Sequence, residues 1–353
     1  MMQAKTELQN IHQKLITEKT PFVIYKLPGA NYLLLEIGQQ SGLSEFTDWK
    51  EIWKREGFVI APFHRKTGKK QFILYPIRRV KFELDFLPVS SSGKPAYNTD
   101  IQSITDIYAQ QIDRYKSTFS RDFKKAILSK IIEIKTEGLN ILEYFIKIAK
   151  NYPDAFVYYF ESAETGTWLG ASPETLISSQ KGKIELMSLA GTSKTGTWTQ
   201  KEIEEQKYVT EYILEKLIKF DVKDFFQSKT KNLKAGNIFH LMTKFTFDSK
   251  QINSHLHQFI NELHPTPAVC GLPQKEALNL ILTSENHNRE YYTGFLGPYQ
   301  DPNNFHFFVN LRCLKRVGEK LHIFVGGGIT KDSKAAAEWD ETEQKARTLL
   351  RFL

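Results

Sequence analysis

Short apolar runs separated by polar turn residues fill the first hundred positions of the chain. Strand-like runs lie at residues 22–25, 32–37, 57–62 and 71–75, with Pro-Gly, Gly-Gln and Thr-Gly pairs between them. Such short connections predict antiparallel sheet, because parallel neighbours need a longer crossover between strands.

Beyond residue 100, helix and strand patterns alternate. Apolar residues recur three and four positions apart, which is typical of a helix with one buried face, at residues 100–117, 199–220, 272–283 and 333–350. Strand patterns lie at residues 155–161, 175–179, 184–189, 292–299, 306–315 and 320–325. The pattern predicts an α+β fold, with mixed and mostly antiparallel sheet and helices outside it.

A linker candidate divides the chain into two parts. Residues 90–95 read Ser-Ser-Ser-Gly-Lys-Pro, and such small, polar and Pro residues neither form a core nor continue a strand or helix. We therefore predict an N-terminal antiparallel β segment at residues 1–95, packed on a larger region at residues 96–353, within one compact structural unit.

Composition and charge narrow the function class. The 353 residues are 41% apolar, enough for a large core, and 48 Lys and Arg against 40 Asp and Glu give a net charge of +8. A positive field suits either a small anionic substrate or nucleic acid. The densest basic stretch, residues 64–81, contains the apolar run 72–75 and so predicts a hairpin with solvated ends. We therefore expect no nucleic-acid partner.

Cysteine usage and the absence of long apolar segments indicate the compartment. Cys270 and Cys313 are the only cysteines, and they lack the CxxC spacing of a zinc site and the number needed for a disulfide framework. The sequence contains no apolar segment typical of a signal peptide or a membrane span. We expect a cytoplasmic monomer with no membrane partner.

Two of the predicted helices carry glutamates beside their apolar faces. In the helix at 199–220, helical spacing extends the apolar face back to Glu205 and Glu202. In the last helix, Glu338, Glu341 and Lys345 lie three and four residues apart. An exposed ion pair contributing about 0.3–0.5 kcal/mol is one interpretation. A Mg²⁺ site is the other, because a hard divalent cation neutralises buried carboxylates.

Three further features could hold an anion. Gly326, Gly327 and Gly328 end the predicted strand at 320–325, and their backbone N–H groups could approach an anion, although tight turns also use glycine for steric reasons. His264 is held on a loop by two prolines, where most histidines are structural. Arg312 interrupts an apolar run and needs an anionic partner, either a protein carboxylate or, as we favour, a substrate carboxylate.

Seven motifs together carry a family resemblance. They are Lys125-Ala-Ile-Leu-Ser-Lys130, Gly170-Ala-Ser-Pro-Glu174, Leu189-Ala-Gly-Thr192, His264-Pro-Thr-Pro-Ala268, Arg289-x-x-Tyr292-x-Gly-x-x-Gly297, Asn310-Leu-Arg-Cys313, and Gly326-Gly-Gly-Ile329 followed by Glu338-Trp-Asp-Glu-Thr342. In this order they resemble the chorismate-utilising enzymes, a family of isochorismate, salicylate, anthranilate and aminodeoxychorismate synthases. Residues 1–120 carry no motif of that family.

The resemblance implies a fold and a cofactor. The fold would consist of two packed, mostly antiparallel β-sheets with helices outside and an active site in a cleft between them. Residues 96–353 would be the chorismate-binding catalytic region. The resemblance also implies that Glu205 and Glu341 hold Mg²⁺ against the ring carboxylate of chorismate, with Glu202 and Glu338 close behind.

The resemblance also implies roles for individual side chains. Lys125 would be the general base, with its neighbour Lys124 as the alternative, and Glu174 would be the general acid that protonates the departing C4 hydroxyl. Tyr292 and Arg312 would hold the enolpyruvyl carboxylate. The implied substrate-binding residues are Ala190, Gly191, Thr192, His264, Tyr292, Arg312, Gly326, Gly327 and Lys345.

Side-chain chemistry narrows the choice within the family. Members that add ammonia resemble one another in having Gln where Lys125 stands, and aminodeoxychorismate synthases tend to carry a lysine where Ala190 stands. A lysine at 125 can take a proton from water attacking C2. The resemblance therefore implies an isomerase, an isochorismate synthase, with salicylate synthase as the alternative. It leaves open whether the product serves menaquinone or siderophore synthesis. The chain departs from the family pattern at Gln206, where the family often has His.

Overall fold

The structure is a computed structural model that describes residues 2–53, 55–87, 101–235 and 238–353. Seven helices and nineteen strands lie within these residues. The helices are α1 (Met2–Thr17), α2 (Ile101–Thr118), α3 (Ile141–Asn151), α4 (Gln200–Lys219), α5 (Leu256–Leu263), α6 (Gln274–Ser284) and α7 (Ala335–Leu350). The strands are β1 (Phe22–Lys26), β2 (Tyr32–Ile37), β3 (Ser44–Glu45), β4 (Gly57–Ala61), β5 (Phe72–Leu74), β6 (Arg78–Glu83), β7 (Lys125–Lys135), β8 (Phe156–Ser162), β9 (Gly166–Ser172), β10 (Thr175–Gln180), β11 (Lys183–Ser193), β12 (Phe225–Gln227), β13 (Lys231–Ala235), β14 (Ile238–Asp248), β15 (Gly271–Leu272), β16 (Phe295–Asp301), β17 (Asn304–Val309), β18 (Cys313–Val317) and β19 (Lys320–Ile329).

The strands form two large sheets. The first sheet has nine strands in the order β15-β7-β19-β18-β9-β8-β1-β2-β6. The second has ten, in the order β12-β14-β11-β10-β17-β16-β4-β5-β3, with β13 also paired to β14. All pairings found in the described residues are antiparallel. The predicted α+β class with antiparallel sheets is confirmed.

Aromatic side chains fill the space between the two sheets. Phe156 of the first sheet and Phe308 of the second are buried, and their rings stack with centroids 4.1 Å apart. Around them lies one cluster of buried residues drawn from both sheets. Alternation along each strand directs every second side chain into this layer, so burial of apolar surface holds the sheets face to face.

Helices cover the outer faces, as the sequence predicts. Leu8 of α1, Phe145 of α3 and Leu349 of α7 join a buried cluster on the first sheet. Tyr212 of α4 and Phe259 of α5 join another on the second sheet. The predicted helices α2, α4, α6 and α7 are all present.

The N-terminal strands extend both sheets. β1 pairs with β8 in the first sheet, and β4 pairs with β16 in the second. The predicted linker at 90–95 and the boundary at 95 lie outside the described residues. Within the described residues, the N-terminal segment thus contributes to both layers.

Two predicted elements are wrong in detail. The basic stretch 64–81 is not a hairpin, because β5 pairs with β4 in the second sheet while β6 pairs with β2 in the first. The predicted strand at 306–315 is two strands, β17 and β18, which belong to different sheets. Arg312 lies in the connection between them with a backbone φ of 47°, and this left-handed conformation ends one strand before the next begins.

The three glycines do not end their strand. β19 continues through Gly326, Gly327 and Gly328 to Ile329, and Gly327 is paired with Leu128 of β7. The predicted glycine turn is therefore extended strand. Glycine is needed there for close approach of neighbouring side chains rather than for a turn.

Candidate active site

A cavity opens between the two sheets, beneath α4 and α7. Its walls come from β7 and β19 of the first sheet and from β11 and β14 of the second. Among its lining residues are Lys125, Glu174, Ala190, Gly191, Thr192, Glu205, His240, Val269, Tyr292, Arg312, Gly326, Gly327, Gly328, Glu341 and Lys345. The structure thus brings most of the sequence-predicted site residues into one cavity.

Lys125, not Lys124, faces the cavity. Lys125 begins β7 and is buried, with Nζ 3.6 Å from Oε2 of Glu205. Lys124 is exposed, and its Nζ lies 5.4 Å from the ring centroid of Tyr208. Because successive residues of an extended chain point to opposite sides, only one lysine of the doublet can enter the cavity.

Glu174 is a buried carboxyl group between β9 and β10. It is 3% exposed, and its backbone N–H donates to Oγ of Ser172. Burial raises the pKa of Glu174 to about 8, against the opposing charges of Lys125 and Lys345. The group is therefore protonated at neutral pH, which is the state that a general acid needs.

Glu205 and Glu341 reach the cavity from two different helices. Burial raises the pKa of Glu205, and the charge of Lys125 acts against this. Burial also pushes the pKa of Glu341 upward, but Lys345, which donates to Oε1 at 2.7 Å, brings it below its usual range. The cavity thus holds two carboxylates in different electrostatic surroundings.

Glu202 and Glu338 lie outside the lining of the cavity. Glu202 is part of the N-terminal cap of α4, where its Oε2 accepts from the backbone N–H of Thr199 at 2.9 Å. The residue that continues the buried face of α4 is Gln206. The predicted buried position of Glu202 is therefore wrong, because the first turn of a helix offers unpaired N–H groups that attract a carboxylate.

Glu338 is buried, and only one of its two carboxylate oxygens has a hydrogen-bond partner. Its Oε1 accepts from Nζ of Lys201 and from Oγ of Ser333, each at 2.7 Å. Its Oε2 is buried without a hydrogen-bond partner and would lie 3.3 Å from a Cβ placed on Gly327. An unpaired carboxylate oxygen in a buried place is costly, so a partner such as a cation suits this position.

The carboxylate oxygens are suitable ligands for a hard cation, although these side chains do not surround one common position. Among the described residues, no three His, Cys, Asp or Glu side chains are arranged to hold a metal ion. Oε1 of Glu341 would lie 4.0 Å from the Cβ placed on Gly327, on which Oε2 of Glu338 also borders. Oxygen donors of this kind are the ligands that Mg²⁺ prefers. The predicted magnesium site stays a prediction.

Arg312 contacts a histidine that the sequence pattern did not reveal. Its Nη2 lies 2.7 Å from Nε2 of His240, and Nδ1 of that ring lies 2.7 Å from the carbonyl oxygen of Gly191. Burial and the charge of Arg312 lower the pKa of His240 to about 3. His240 occupies a buried position of β14, and within the sequence a single histidine in an apolar strand carried no further signal.

The remaining predicted contacts line the same space. Nζ of Lys345 donates to the carbonyl oxygen of Gly326 at 2.8 Å as well as to Glu341. Tyr292 is buried, and its ring stacks on that of Phe324 with centroids 5.3 Å apart. Ala190, Gly191 and Thr192 form one edge of the cavity. These groups could bind the carboxylates and hydroxyl of a small acid.

His264 does not belong to this cavity. Its Nε2 lies 3.1 Å from the carbonyl oxygen of Phe63, and burial lowers the pKa of His264 to about 4. The neutral ring therefore donates to that carbonyl and fixes the loop. The predicted substrate contact of His264 stays a prediction, and the same motif supplies Ala268, and after it Val269, to the cavity wall.

Comparison with known proteins shows which proteins the chain is similar to. The family model described as "Chorismate binding enzyme" matches residues 87–353. The chain is 27% identical over 241 residues to the isochorismate synthase EntC of Escherichia coli K12, an alignment covering 64% of this chain and 61% of that protein. It is 23% identical over 331 residues to anthranilate synthase component 1 of Bacillus pumilus, covering 90% of this chain and 62% of that protein. The chain thus spans less than two thirds of these relatives.

Solved structures share the fold. The Bacillus anthracis protein DhbC, described as a 2,3-dihydroxybenzoate-specific isochorismate synthase, superposes with a TM-score of 0.80 at 20% identity, covering 97% of this chain and 99% of that one. The menaquinone-specific isochorismate synthase MenF of Escherichia coli gives a TM-score of 0.77 at 18% identity, covering 94% of this chain and 89% of that one.

Among the described residues, no helix has the length and apolar character that a membrane crossing requires.

Proposed function

Because the chain belongs to the chorismate-binding enzyme family, we propose that it is an isochorismate synthase, an isomerase acting on chorismate. In this reaction, water adds at C2 of the ring and the hydroxyl at C4 leaves. Isochorismate synthases are among its relatives, as are anthranilate synthases. The choice between water and ammonia as nucleophile therefore decides the function.

The observation that carries the proposal is the position of Lys125. Its side-chain nitrogen is buried in the cavity beside Glu205, whereas Lys124 is exposed. Members of the family that use ammonia resemble one another in having Gln at this position. An amine placed here can take a proton from water as the water oxygen bonds to C2.

Glu174 supplies the complementary proton. The bond from C4 to its hydroxyl breaks more easily when that oxygen is protonated, and the raised pKa of Glu174 keeps its proton available. Lys125 and Glu174 both line the cavity. One proton is taken from the attacking water and another is given to the departing hydroxyl, so the reaction is balanced as an isomerisation.

Arg312 and Tyr292 suit the enolpyruvyl carboxylate. Arg312 is held by His240 with its guanidinium lining the cavity, and Tyr292 lines the same cavity. A guanidinium holds a carboxylate through two parallel hydrogen bonds, which fixes orientation as well as charge. This contact would place the ring with respect to Lys125 and Glu174.

Magnesium is part of the proposal. Glu205 and Glu341 would hold it, and the unpaired oxygen of Glu338 lies close behind Gly327. When bound, Mg²⁺ would neutralise these carboxylates and bind the ring carboxylate of the substrate. Lys201 and Lys345 would remain as the neighbouring cations that hold Glu338 and Glu341 in place.

Product analysis tests the proposal. The purified chain is incubated with chorismate and Mg²⁺, with and without ammonium, and the products are separated and identified by mass. Isochorismate in both mixtures supports the proposal. Salicylate with pyruvate would identify a salicylate synthase, and an aminated ring formed only with ammonium would place the chain with the ammonia-using members.

A further inference from the structure

Side chains are hydrogen-bonded to the edge of β7 beyond the end of its neighbouring strand, β15. β15 pairs with β7 only at Lys125 and Ala126. Beyond that pairing, the backbone N–H of Ser129 donates to Oε1 of Glu285 at 2.7 Å, and the carbonyl oxygen of Ile127 accepts from Nη2 of Arg289 at 2.8 Å. A carboxylate and a guanidinium thus take the place of an edge strand.

These two side chains form one buried ion pair. Nε and Nη2 of Arg289 donate to the two carboxylate oxygens of Glu285 at 2.7 and 2.6 Å. Both side chains are almost fully buried, at 1% and 2% exposure. A bidentate pair of this kind has a fixed geometry. Glu285 and Arg289 therefore also fix the backbone groups to which they are hydrogen-bonded.

Arg289 connects the edge of β7 to the neighbouring segment of the chain, where the carbonyl oxygen of Cys270 accepts from the backbone N–H of Ile127. Its Nη1 donates to the carbonyl oxygen of Val269 at 2.8 Å, on the loop that follows α5. Ile127, Val269 and Tyr292 line the cavity, whereas Glu285 and Arg289 do not. The ion pair therefore contacts the cavity walls from behind.

We propose that Glu285 and Arg289 are positioning residues that set the place of the general base. Ile127 is two residues from Lys125 on β7, and it is paired with Gly328, where a Cβ would lie 2.5 Å from Cε of Lys125. The lysine stem therefore fits closely against β19, and a small displacement of β7 moves it. The ion pair holds this segment of β7 against the loop of Val269. This inference rests on the proposed function, because the base is the one assigned there.

The test compares variants of the pair with a matched control. Arg289→Lys keeps the charge, but a single ammonium cannot serve Glu285 and both carbonyl oxygens with the geometry of the planar fork. Glu285→Asp keeps the ion pair with a shorter side chain, and it decides the question if Arg289→Lys does not fold. Glu36→Gln is the control, because it breaks the ion pair of the buried Glu36 with the exposed Arg79 in a distant part of the first sheet.

Two measurements are made on each folded variant. Hydrogen–deuterium exchange follows a peptide covering residues 126–131, and steady-state kinetics with chorismate gives kcat and KM. We expect exchange in this peptide to accelerate about tenfold and kcat to fall about tenfold in the pair variants, with no comparable change in Glu36→Gln. Unchanged exchange, or a kcat equal to that of the control, would overturn the positioning role. If the unaltered chain makes no isochorismate, the proposed function fails, while accelerated exchange still identifies the pair as the support of β7.

Discussion

Nη2 of Arg312 lies 2.7 Å from Nε2 of His240, and this contact fixes the protonation of the histidine ring. A guanidinium can only donate, so Nε2 accepts and the ring proton is on Nδ1. Nδ1 lies 2.7 Å from the carbonyl oxygen of Gly191, which accepts that proton. With the pKa of His240 lowered to about 3, the ring stays neutral and holds Arg312 in one orientation.

The first prediction concerns this contact. His240→Phe keeps an aromatic ring but removes the acceptor, so Arg312 loses a partner that directs it into the cavity. We expect the KM for chorismate to rise about tenfold, with a smaller effect on kcat. His306→Phe is the matched control, because His306 is a half-buried histidine of the second sheet away from this cavity. Equal KM values in the two variants would show that the contact does not orient Arg312.

The second prediction separates the two lysines of the doublet. Lys125→Gln removes the base from the cavity and should lower the rate of isochorismate formation by about 10²–10⁴-fold. Lys124→Gln changes an exposed side chain and should leave the rate unchanged. Single-turnover rates and chorismate binding are measured on both. A slow Lys124 variant beside an active Lys125 variant would move the base to the neighbouring residue.

The third prediction concerns pH. Glu174 must be protonated to act as the acid, and burial raises its pKa to about 8. As pH rises through that value, the protonated fraction falls, so kcat/KM for chorismate should decline on the alkaline side. In Glu174→Gln, the residual activity should lack this alkaline decline. A decline that persists in Glu174→Gln would mean that another group titrates there.

The fourth prediction concerns the metal. Excess chelator should abolish turnover, and added Mg²⁺ should restore it. Glu205→Gln and Glu341→Gln should each remove most of the activity, because each deletes one hard anionic ligand. Glu343→Gln is the control on α7, since Glu343 pairs with Lys130 instead of facing the cavity. Full activity in chelator would contradict the assignment.

Hydrophobic periodicity is sufficient to predict the helices that bury only one face. The faces of α4 and α7 repeat at helical spacing, so both helices could be predicted from the chain. The boundary between β17 and β18 could not, because only residues 310–312 separate the two strands, with Arg312 in left-handed backbone. The hairpin predicted for β5 and β6 does not form, since a sequence does not show which sheet a strand joins.

The candidate site was likewise only partly predictable from the sequence. The family resemblance implied Lys125 and Glu174, whereas Arg312 stands out within an apolar run, and the structure brings all three together. His264 has an equally distinctive motif, yet its ring is turned to the carbonyl oxygen of Phe63. His240 reaches the cavity only through the pairing of β14 with β11, a long-range contact that local sequence does not encode.

The most direct test of the account is the origin of the new hydroxyl oxygen. The purified chain is incubated with chorismate and Mg²⁺ in water enriched in ¹⁸O, with ammonium present, and isochorismate is analysed by mass spectrometry. The account predicts isochorismate carrying one ¹⁸O atom at C2, because water is the nucleophile and the original C4 hydroxyl leaves. Isochorismate without the label, or an aminated product in its place, would contradict it.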